Sequence, residues 1–209
     1  MTLDKLLALP FKNNGIVKLL IGGVLQLIPI VSLFSLGYIL ECCENGALRH
    51  EEMPEWTDWG NKFVSGFLVA VISFIYTIIP TLLFGASLIR MFSNHGYHMG
   101  GSSMFLAAII FILFTFPLPM ALANFAVEKN FGAAFEFGYI FQLISTSLGS
   151  YIGAFLLYIV ILIAVGIIGA LISLIPVIGW ICMIFVGFYI GCVCSFLFGS
   201  VYGEARRSI

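Results

Sequence analysis

Apolar residues dominate the chain in long unbroken stretches rather than in alternation. Four runs, 64–89, 104–126, 151–174 and 177–198, each hold more than the about 20 residues a helix needs to cross a hydrocarbon core roughly 30 Å thick. None of the four contains Asp, Glu, Lys or Arg. Strands of a membrane barrel alternate apolar and polar positions, and these runs do not. A backbone that crosses lipid must satisfy its own amides, which a helix does. The pattern predicts an all-α, polytopic membrane protein with transmembrane helices over these four runs.

A fifth apolar stretch, 16–40, is interrupted by Lys18, Gly22, Gly23 and Pro29. The pieces on either side of Pro29 are each half a crossing long. Its core, 22–31 (GGVLQLIPIV), is similar to 169–178 (GALISLIPVI). The second copy joins two long runs with almost nothing between them, so Pro176 must sit in a tight turn. Proline cannot donate to a helix ladder and pushes the preceding residue out of helical geometry. By analogy Pro29 also marks a turn. The stretch then reads as an N-terminal re-entrant hairpin, with five transmembrane helices as the alternative.

Charge separates the two arrangements. With five spans, Lys5, Lys12, Lys18 and Arg90 face Arg49, Lys62, Lys129, Arg206 and Arg207 across the membrane. That distribution has no bias. With four spans and a hairpin, every Lys and Arg except Arg90 falls on one side, as the positive-inside rule asks. Four spans plus the hairpin, with both termini cytoplasmic, is therefore the expectation.

Between the runs lie two interfacial segments, 41–63 and 127–149. The first is the most polar part of the chain, with Glu41, Glu44, Glu51, Glu52, Glu55 and Asp58. It ends in Met53-Pro-Glu-Trp-Thr-Asp-Trp-Gly60. Asp58 is placed to cap the next helix. Trp56, Trp59 and Phe63 are expected at headgroup level, where amphipathic rings settle. In the second segment Phe131, Phe135, Tyr139 and Gln142 fall at helical spacing. It reads as a helix lying in the interface, ended by Gly149, with Glu136 and Gln142 facing water.

Composition agrees with the pattern. Of 209 residues 61% are hydrophobic and 9% charged, against about 25% charged in a soluble domain. A net charge of −1 gives no basis for nucleic acid binding. Chemistry is sparse. His95 and His98 offer two metal ligands where a zinc site needs three or four. The cysteines Cys42, Cys43, Cys182, Cys192 and Cys194 form no Cys-x-x-Cys pair. There is no nucleophile elbow, phosphate loop or zinc-protease motif. No enzyme activity, cofactor or metal is expected.

Small residues supply the one regular signal. Gly187, Gly191, Ser195, Gly199 and Gly203 recur every four residues and line one face of the last span. Such a face lets another helix approach closely, which in lipid replaces the missing hydrophobic drive. Gly149 and Gly153 repeat the spacing at the start of the preceding run. The face packs either within the monomer or between subunits.

Several of these segments together resemble a known family. They are Gly22-Gly23 with Leu27-Ile-Pro29, Gly37-Tyr38, the 53–60 segment with Phe63 and Gly66, 133–138 (AAFEFG), and Leu174-Ile-Pro-Val-Ile-Gly-Trp180. The chain resembles the prokaryotic membrane family described as domain of unknown function 4013. Relatives carry several arginines after the Gly-Tyr pair, where this chain has Glu41, Cys42, Cys43 and Glu44. The resemblance implies a prokaryotic cell membrane and brings no catalytic residues. The expected role is a non-enzymatic scaffold or accessory subunit among membrane lipids, in a homo-oligomer or with other membrane-protein subunits. A channel or transporter for a small molecule or lipid, and a lipid-directed enzyme at the interface, are the alternatives.

Overall fold

The computed structural model describes residues 8, 14–50, 52–93, 100–172 and 178–209. Among them the regular elements are helices and none is a strand. They are α1 (Gly15–Gln26), α2 (Ser32–Leu48), α3 (Trp59–Ser93), α4 (Gly100–Thr115), α5 (Leu118–Glu128), a 3-10 turn (Phe131–Phe135), α6 (Phe137–Thr146), α7 (Leu148–Ile172) and α8 (Ile178–Arg207). Four stretches are long and apolar enough to cross a membrane: Trp59–Ala86, Phe105–Glu128, Leu148–Ile172 and Gly179–Arg207. They coincide with the four runs read from the sequence. The chain is a multi-pass membrane protein.

At the N-terminus α1 and α2 form a helical hairpin about Pro29. The Ser35 hydroxyl donates to the Gly22 carbonyl across it at 2.9 Å. The Ser32 hydroxyl closes the turn on the Pro29 carbonyl. The hairpin is longer than the sequence suggests. Its second helix does not stop at residue 40 but continues through Glu41–Leu48. Lysines neutralise both carboxylates there, as described below. The helix ends where Arg49 turns left-handed at φ 60°. The expected loop 41–63 is thus, among the described residues, a helix end, a short strap over 49–50 and 52–58, and the first turn of α3.

α2 lies at the centre of the molecule, packed against α8, α3, α1 and α5. It runs in the same direction as α8. Ile39 meets Gly191, the Cys43 carbonyl meets Gly199, and the Ala47 carbonyl meets Gly203. On the other side, Gly37 abuts the Lys62 carbonyl and Gly66 abuts the Leu33 carbonyl. At Gly37, Gly66, Gly199 and Gly203 a Cβ would strike backbone, so glycine there sets how closely the backbones approach. Two apolar clusters fill the space around α2. One gathers Met120, Ile140, Leu143, Tyr151 and Tyr202, and the other Tyr38, Cys42, Phe188, Cys192 and Phe196.

The run 104–126 is not one helix. It breaks at Pro117, which lacks the amide that would continue the ladder to the Leu113 carbonyl. The buried Tyr151 hydroxyl donates to the Phe116 carbonyl at the break. By contrast Pro80 lies inside α3 without ending it, as lipid-embedded helices allow. The 127–149 segment also differs from expectation. It divides into the 3-10 turn and α6, and α7 starts at Leu148, so Gly149 continues a helix rather than breaking one. α6 buries Ile140, Leu143 and Ile144. Glu136 and Gln142 are exposed on the chain. Pro176 and both loop histidines, His95 and His98, lie outside the described residues.

Candidate functional site

The most elaborate constellation is the strap and the two lysines beneath it. The strap doubles back along α2. Asn45 Nδ2 donates to the Glu52 carbonyl at 3.0 Å, and the Tyr38 hydroxyl donates to the Pro54 carbonyl at 2.9 Å. Trp56 then stacks on Tyr38, with ring centroids 4.3 Å apart and planes at 17°. Trp59 meets Phe34 edge-on at 5.5 Å. Such aromatic pairs contribute about 0.5–1.5 kcal/mol each beyond their burial.

Lys18 of α1 is 6% exposed. Its Nζ donates to the Met53 carbonyl at 3.0 Å and pairs with Glu55 Oε1 at 2.7 Å. The Lys18 carbonyl in turn accepts from Trp56 Nε1 at 3.0 Å. Lys62 of α3 is 1% exposed. Its Nζ reaches Glu41 Oε1 at 2.9 Å and Oε2 at 2.7 Å, and the Thr57 carbonyl at 2.8 Å. The ammonium group is thus held between one carboxylate and one backbone carbonyl. Farther along α2, Glu44 pairs with Lys129, and Glu128 of α5 pairs with Arg206 of α8 at 2.8 Å. Burial pushes the Glu41 carboxyl above the ordinary 4.5, outweighing the pull of Lys62 and Lys129. Burial likewise pushes the Cys43 thiol up to about 12, so it stays protonated.

The residues expected as interfacial anchors separate by role. Trp56 is half-buried inside the strap. Trp59 and Phe63 stand at its edge, Phe63 packed 5.1 Å from Phe34. Asp58 is exposed at φ 50°. What the structure shows engaged is its backbone carbonyl, which accepts from the Lys62 amide at 3.1 Å. On the glycine face, Gly199 and Gly203 are covered by α2 and Gly191 by Ile39. Gly187 has open space above it and Ser195 is half-buried. Gly149 and Gly153 also have nothing over them. Pro29 is exposed at the tip of the hairpin.

In the sequence pattern Lys18 and Lys62 stand out only as charges; their organising role appears in the fold. A signal existed: a lysine within or beside an apolar run needs an acidic partner, and six acids lay in one neighbouring segment. Which acid meets which lysine depends on the strap's path, which no local pattern encodes.

A cavity of about 310 Å³ lies where α5, the 3-10 turn and α6 meet, lined by Asn124, Glu128, Asn130, Ala133, Glu136 and Tyr139. Asn124 is fully buried and committed. Its Nδ2 donates to the Ala133 carbonyl at 2.9 Å, and its Oδ1 accepts from the Tyr202 hydroxyl at 2.8 Å. Among the described residues no three His, Cys, Asp or Glu side chains group as metal ligands. All five cysteines are free thiols.

No curated protein and no solved structure matches the chain. One family does. Its model, described as a protein of unknown function (DUF4013), matches residues 21–175, a stretch that holds the hairpin turn, the strap, Lys62 and the 3-10 turn but begins after Lys18. The chain belongs to the DUF4013 family.

Proposed function

We propose that this protein is a non-catalytic scaffold or accessory subunit of the membrane, and that α7 is the helix it offers to a partner. The observation that carries this reading is α7 itself. Only 6% of its apolar window is buried within the chain, against 22–33% for the other three spans. At one end of it Gly149 and Gly153, one helical turn apart, have open space above them. Small residues at that spacing let a second helix come close in lipid. The Gly199 and Gly203 end of α8 is already taken by α2, so α7 is left as the available surface.

The absence of enzymatic activity is part of the same reading. It is supported by the pairing of the buried side-chain nitrogens and oxygens, each of which has a hydrogen-bond partner among the described residues. The prokaryotic cell membrane, with both termini cytoplasmic and lipids and other membrane-protein subunits as partners, completes the proposal. It is supported by the side on which the lysines and arginines gather.

The experiment is native mass spectrometry of the protein drawn gently from its own membrane, for the wild type and Gly153→Leu. The expected result is a defined homo-oligomer or hetero-complex that dissociates in the variant while its melting temperature is kept. A wild type that is monomeric, or a Gly153→Leu complex of unchanged size, removes α7 as the partner surface.

A further inference from the structure

We draw no further inference here: the strongest candidate, the cavity between α5, the 3-10 turn and α6 with Glu128 and Glu136 at its wall, is an acidic recess whose buried Asn124 is already satisfied by Ala133 and Tyr202, and nothing in the structure points to a ligand that would occupy it.

Discussion

A single residue, Lys62, holds three parts of the chain together: α3 that carries it, α2 through Glu41, and the strap through Thr57. Removing one partner of a buried ion pair costs about 3–5 kcal/mol, because the other charge is left without compensation. Glu41 keeps some contact with water, its side chain being 24% exposed, so Lys62→Met is expected near the lower end of that range. Lys129→Met is the control. That lysine is half-exposed, and exposed pairs are worth about 0–1 kcal/mol. Equilibrium unfolding in mixed micelles compares the two, and equal losses would contradict the role given to Lys62. Glu41 also sets a pH dependence. Its carboxyl titrates above the ordinary 4.5 in the folded protein. A raised folded value means that its stabilising contribution is fully present below 4.5 and is lost as pH rises through the folded value. The stability of the wild type relative to Glu41→Gln should therefore fall as pH rises from about 4.5. A difference that stays flat, or grows, with rising pH would show that the Lys62 pair outweighs burial.

At the scale of elements, glycine decides where helices touch. A side chain at Gly199 or Gly203 would run into a carbonyl of α2, and a backbone yields less readily than a side chain. Overpacking of this kind costs about 1–3 kcal/mol and sometimes more. Gly199→Leu is expected to lower the melting temperature in detergent strongly, whereas Gly187→Leu, with open space above it, is expected to leave it near the wild-type value. Similar melting of the two variants would mean that α2 does not hold α8 at this crossing. The helix breaks follow a second rule. Pro29 and Pro117 end helices and Pro80 does not, although each removes one amide from a ladder. At Pro117 the buried Tyr151 hydroxyl donates to the Phe116 carbonyl, a bond across the break from another helix. At Pro29 the chain reverses and Ser32 and Ser35 bond across the turn.

For the whole molecule, the number of spans and the path of the first 58 residues are separate matters. Under the proposed arrangement, four spans with a re-entrant hairpin, both ends of the chain are expected on one face of the membrane. Single cysteines at Thr2→Cys and Ile209→Cys, in an otherwise cysteine-free protein, should react with an impermeant reagent from the same side. Labelling from opposite sides would make the first stretch a full crossing. Replacing the native cysteines by alanine or serine is acceptable for this purpose only where the protein still folds, since Cys42 and Cys192 are fully buried.

The sequence by itself determined the class of this protein and its four long apolar helices, with the first stretch read as a hairpin or as a fifth crossing. Run length and the lack of charge are properties of contiguous residues, and the thickness of a bilayer converts them directly into crossings. It also determined the turn at Pro29, because proline acts on its own neighbours, and the small-residue face of α8, because four-residue spacing is local geometry. It marked Trp56 as an interfacial ring and Asp58 as a helix cap but did not reveal the contacts they make. Tertiary structure alone decided that α2 outlasts residue 40, since a helix carrying Glu41 and Glu44 through a packed interior depends on lysines 21 and 85 residues away. It alone decided that Trp56 stacks inward on Tyr38, and that Gly199 and Gly203 are spent on α2 while Gly149 and Gly153 stay open. A pattern of small residues says that a close approach is allowed. Only the fold says which neighbour makes it, because the choice rests on contacts between segments far apart in the chain.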